Sequence, residues 1–185
     1  MSKHRNAGTV EFYRERHAVE TPLTLEVMRA LPPDMLAYKP HEQSSSAEAI
    51  FWTVVRGLIT RNEVAAMGET DLTAGPPQSY RTMLAQFEGL STALSDKLAH
   101  LGHAQWEQTG RLRIGSQIVL EKTVGEILWL FHFDLIHHRG QLTTYLRPMG
   151  GKVPSIYGKS GDAGAAETVL QERANNILAK AGARL

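Results

Sequence analysis

The sequence contains no cysteine, which removes disulfides, thiolate metal sites and a cysteine nucleophile from consideration. It has no run of about eighteen apolar residues, so no membrane-spanning helix is expected. Its opening residues, MSKHRNAGTVEFYRERH, lack the apolar centre of a signal peptide. A cytoplasmic location with no membrane partner is the expectation that follows. Charge of one sign is missing too: 20 Lys and Arg against 19 Asp and Glu give a formal net charge of +1. That leaves no basic footprint of the kind a nucleic-acid partner requires. Strand-like alternation does not persist beyond a few residues, and no repeat or low-complexity segment is present. With 42% apolar and 21% charged residues over 185 positions, the composition is that of a globular chain. One domain over residues 1–185, with a sizeable core, is expected.

Helical periodicity fills the space those absences leave. The first segment runs from Thr9 to Leu31 and is disturbed at Thr21-Pro22, where proline either kinks the helix or begins a second piece. Pro32-Pro33 ends it. After the linker MLAYKPHEQ, Ser45 with Glu48 reads as a capping box. From Ser46 to about Met67 the chain is apolar on most sides, as a central helix would be, with a strip of small residues at Thr53, Gly57 and Thr60. The turn-rich TDLTAGPPQ leads to a third helix from about Ser79 to Leu101, stopped by Gly102. Between His103 and Lys122, the run RLRIGSQIVL could pair as a minor strand. A last, modest helix is expected over Ala165 to Ala181. The fold class is all-α: an up-and-down four-helix bundle with a short extra C-terminal helix.

The most informative stretch is TVGEILWLFHFDLIHHRGQLTTYLRPMGG, Thr123 to Gly151. Thr123 and Glu126 form a capping box, and Val124, Ile127, Leu128, Phe131, Leu135, Leu142 and Tyr145 make one helical stripe. Two polar residues interrupt it. His138 sits near the middle of the apolar face, with Asp134 one turn back on the same side. A carboxylate and an imidazole aimed at a core are costly without partners, so the pair either holds an ion or forms a metal-free polar network. His137, about 100° round the helix, reads as an interface or surface histidine ahead of a ligand. His132 points further away, to solvent or a subunit contact. Arg139 and Gln141 read as ties between the helix and the following loop. Arg56 and Glu63 read as a surface or inter-helix charge contact, Tyr145 as core, and Trp52, Trp106 and Trp129 as packing residues.

The block HHRGQLTTYLRPMGGKVPSIYG, His137 to Gly158, resembles the DinB/YfiT-like superfamily of four-helix-bundle metalloproteins, and LPPDMLAYKP fits the same pattern. The resemblance implies a homodimer. It also implies a divalent metal held by one histidine of the second helix and two of the fourth, and thiol-dependent S-transfer or hydrolysis with a low-molecular-weight thiol. Carried over by position, the ligand set becomes Thr53, Asp134 and His138. A carboxylate is a workable exchange for imidazole, and zinc, nickel, iron or manganese would suit it, but a neutral hydroxyl is a weak donor. Tyr157, in the loop that closes the bundle end in relatives, and His137 are the expected substrate contacts. Two readings remain open: a metal-assisted enzyme, and a non-enzymatic, metal-free binding protein with an Asp-His-Thr network.

Overall fold

The structure, a computed structural model, describes residues 8–73 and 75–163. Helix α1 spans Val10–Ala30, α2 Ala47–Met67, α3 Tyr80–His100, the one-turn α4 His103–Trp106, and α5 Val124–Leu146. Strands β1 (Glu69–Asp71), β2 (Thr109–Ile114) and β3 (Gln117–Thr123) form one sheet in the order β1-β2-β3. The expected Ala165–Ala181 helix lies outside the described residues. No helix among the described residues is long and apolar enough to cross a membrane.

Each long helix begins on a hydroxyl that takes an otherwise unpaired backbone N–H. Thr9 accepts from Phe12, Ser46 from Ala49, Ser79 from Thr82 and Thr123 from Glu126. At α5 the box is complete, with Glu126 Oε2 accepting from Thr123 N at 2.9 Å. At α2 the cap is Ser46 rather than Ser45, and no box forms. Helix α1 runs through Pro22 without a break. Pro22 and Ala18, whose carbonyl loses its partner there, both face solvent, so water can satisfy the orphaned oxygen.

The purely helical, up-and-down expectation needs correcting on two counts. First, a three-stranded sheet is present. RLRIGSQIVL folds as the β2–β3 hairpin, turning at Gly115 with φ +58°, and β1 joins β2 in parallel. The sheet stays close to the bundle because Gly110 lacks a Cβ, which would meet Ile127 Cδ1 at 2.9 Å.

Second, the chain order is up-down-down-up. Phe12 meets Trp129 and Glu20 meets Arg139, so α1 and α5 run parallel. Phe51 meets Tyr80 and Asn62 meets Leu90, so α2 and α3 do too. Across the pairs the helices are antiparallel: Arg61 reaches His132 while Tyr145 reaches Ser45, and Tyr80 reaches Met28 while Arg14 reaches Leu101. The connector after α2 must therefore climb back along it. Arg56 Nη2 donates to Leu72 O at 2.8 Å and Trp52 Nε1 to Gly75 O at 3.0 Å, pinning the climb. Glu63 accepts from the Thr70 hydroxyl. Arg56 and Glu63 thus hold the connector and do not pair with each other.

The core includes Val54, Leu58, Phe87, Leu94, Leu128 and Leu142. Trp106 seals the lower end: its Nε1 donates to Gly8 O at 2.8 Å, and its ring lies where a Cβ on Gly125 would come within 2.3 Å.

Candidate functional site

Asp134 and His138 lie one turn apart on α5, on the side facing α2. His138 Nε2 is 3.3 Å from Asp134 Oδ1, and the side chains keep 20% and 37% of their exposure. The pair is therefore half open rather than buried in the core. His138 Nδ1 is 2.6 Å from Gln141 Oε1. An amide oxygen only accepts, so Nδ1 carries the hydrogen there and Nε2 is the nitrogen turned to the carboxylate. Opposite, an added Cβ at Gly57 would stand 3.9 Å from Asp134 Oδ2. The same antiparallel register brings Thr53, one turn before Gly57, level with His138. The Thr53 hydroxyl donates to Ala49 O at 3.0 Å on its own helix. His137 is exposed, its ring edge-on to His138 at 5.0 Å.

Among the described residues no group of three or more His, Asp or Glu could hold a metal. The donor set at this position is one imidazole and one carboxylate. Their 3.3 Å separation is what two ligands each about 2.1 Å from one ion take up. The residues fit two positions of an ion and leave the others to solvent.

The sequence-predicted residues are only partly brought together, because Tyr157 stands on the other side of α5, toward α1. There Glu20, fully buried, accepts from Arg16, from Arg139 Nη1 at 2.8 Å and from the Tyr157 hydroxyl at 2.5 Å. Arg139 Nη2 also donates to Tyr157 at 2.6 Å, beneath its ring. Burial raises the Glu20 carboxyl pKa, but the hydrogen bonds from Tyr157, Arg139 and Arg16 outweigh it and hold the group below the usual range. Arg139 is thus the loop tie its position suggested.

His132 overturns its expectation. It is 1% exposed, packed edge-on against Tyr13 and Trp129, and its Nδ1 meets Arg61 Nη1 at 3.3 Å. The sequence reading placed it outside because its neighbours on α5 are apolar all round, so the wheel does not show which face turns inward. Arg61 is itself fully buried, and no carboxylate among the described residues pairs with it. Tyr13 Oη lies beside it without a hydrogen bond of acceptable geometry. Burial first, then Arg61, lowers the His17 pKa to about 4 and that of His132 to about 2. Sequence reasoning missed His17, Glu20 and Arg61. The available signal was their spacing: His17, Glu20 and Thr24 continue the Val10–Tyr13 stripe, and Arg61 follows Val54 and Leu58.

The DinB family profile matches residues 1–173. A DinB-like protein from Bacillus subtilis has a similar structure, with a TM-score of 0.59 and 20% identity over 74% of this chain and 90% of that one. A DinB-like protein from Bacillus cereus gives 0.61 and 17%, over 76% and 92%. Mycothiol-dependent maleylpyruvate isomerase gives 0.55 and 13%, over 72% of this chain and 60% of that one. No curated protein sequence matches significantly.

Proposed function

The chain belongs to the DinB family, and from that membership we propose that it is a thiol-linked transferase or hydrolase working at the Asp134–His138 pair, with a divalent cation held by those two side chains and otherwise by water. The observation that carries this reading is the orientation of His138. Gln141 takes the Nδ1 hydrogen at 2.6 Å, so the Nε2 lone pair is the one presented beside the carboxylate, the outer-sphere arrangement that prepares a histidine to ligate. A bound cation would supply the lowering of a thiol's or water's pKa. The chain's own residues do the rest: Gln141 fixes the ring and Asp134 supplies the negative charge. Exposed His137 is the substrate contact nearest the pair. The thiol class has its support in the mycothiol-dependent fold neighbour. The homodimer is part of the same reading, and sedimentation would test it.

A second reading, a metal-free binding protein, has its own support. The Thr53 hydroxyl is spent on Ala49 O, and no third strong donor stands by. Thermal melts with added zinc, nickel or manganese, together with metal content after chelator-free purification, separate the two. The cation reading expects the melting temperature to rise for the wild type and not for Asp134→Ala or His138→Ala. A wild-type protein without metal and without a shift overturns it. Tight metal binding gained only by Thr53→His would establish the second reading instead.

A further inference from the structure

Helix α1 is held unevenly along its length. Its second half buries Val27 and Met28, and Tyr80 Oη donates to the carbonyls of Met28 and Arg29 at 3.2 Å. Near the middle, buried Glu20 is locked to Arg139. The first half, residues 10–19, buries only Val10, Tyr13 and His17. Two of those three carry an atom that is left unpaired. Tyr13 Oη stands by Arg61 and His17 Nε2 by the Ser91 carbonyl, neither with a hydrogen bond of acceptable geometry.

Across the seam the same holds for Arg61 Nε and Nη2 on α2 and for His132 Nε2 on α5. The Tyr13 and His132 rings lie 5.4 Å apart, and Arg61 Nη1 is 3.3 Å from His132 Nδ1. Each unpaired atom has under 1 Å² of accessible surface, so water does not reach it either. The seam between α2 and α3 is different. There Asn62 Nδ2 donates to Leu58 O and Leu90 O, and its Oδ1 accepts from Lys97.

Unpaired buried polar groups, a charged one above all, favour any state that returns them to water. Parting residues 10–19 from the bundle does this for the whole cluster at once. The buried side chains it uncovers on α1 are few, and the ties it breaks include Trp106 Nε1 to Gly8 O and Arg14 Nη2 to Leu101 O. Pro22 supplies the bending point, because the Ala18 carbonyl has no helical N–H to lose there. We infer that residues 10–19 form a gate that swings away from α2 and α5 about Pro22 while the rest of the bundle stays folded, and that its opening uncovers the Arg61 guanidinium. The gate does not depend on the Asp134–His138 reading, which uses none of these side chains.

The test is amide exchange of the full chain at pH 7.5, followed residue by residue by NMR at increasing urea. Residues 14–19 should exchange at least about tenfold faster than residues 135–142 of α5, with little dependence on urea, the mark of a local opening. A helix end that merely frays would do the same, so Arg61→Met is the deciding comparison. Without the guanidinium, opening gains less, and residues 14–19 should slow about fivefold or more relative to 135–142. An unchanged ratio overturns the inference, as does wild-type exchange of residues 14–19 in step with global unfolding. Should Arg61→Met fail to fold, Tyr13→Phe decides, since it removes one unpaired hydroxyl and keeps the ring. It should slow the same amides about twofold, and no slowing there overturns the gate.

Discussion

On one side of α5, the buried pair Glu20 and Arg139 makes a polar network with half-exposed Tyr157 at its rim, and Arg61, His132 and His17 lie buried behind it. On the other, a second carboxylate, Asp134, pairs with His138, and both remain half open to water. The contrast is one of energetic role. Inside, Glu20 and Arg139 have lost their hydration and depend on each other, so removing one strands the other. Outside, water screens the pair, and its contribution to stability is small. The sealed network belongs to the fold. The open pair is cheap to alter.

Breaking the sealed side should give the largest effect. Glu20→Ala leaves Arg139, whose side chain is 3% exposed, without its counter-charge, and about 3–5 kcal/mol of stability should be lost, read from urea unfolding. A loss below about 1 kcal/mol would erase the contrast. Acid comes next. His17 and His132 have folded-state pKa values below the ordinary 6.5, so the unfolded chain binds more protons. The stability they permit is complete above about pH 6.5 and falls as pH drops toward 4, by about 2 kcal/mol per histidine at pH 5. Urea midpoints between pH 7.5 and 5 would show it, and His132→Gln should flatten the profile.

Tyr157→Phe removes one of three donors to Glu20 while leaving both arginines. It should cost about 1 kcal/mol, and amide exchange should quicken in the 153–160 loop. The smallest effect is expected for Asp134→Asn, within about 1 kcal/mol of wild type, although any cation-induced rise in melting temperature should disappear. A large destabilisation there would show that the open pair is structural after all.

The long helices were legible because stripes and caps are local: Thr9, Thr123 and Ser79 stand at the start of apolar periodicities, and Thr123–Glu126 is a box in sequence and structure alike. The hairpin was harder to read. Ile118 and Val119 are exposed and β3 lacks the in–out alternation that marks a strand, while β2 alternates over only a few residues. The chain order is invisible to periodicity, since a stripe says that a face is covered and not by which helix. For the site, i and i+4 spacing placed Asp134 beside His138. Nothing local could show that Glu20 and Tyr157, 137 positions apart, would share a proton donor and acceptor, or that His132 would turn inward to meet Arg61.

The return of the chain along α2 sets a limit on how its length can vary. A helix of 21 residues is about 32 Å long, and the stretch from Gly68 to Ser79 can reach only about 40 Å when fully extended. Deleting more than a few residues there would drag the Ser79 cap away from its helix, whereas inserting several would merely bulge into solvent. Tolerance to length change in this segment is therefore one-sided.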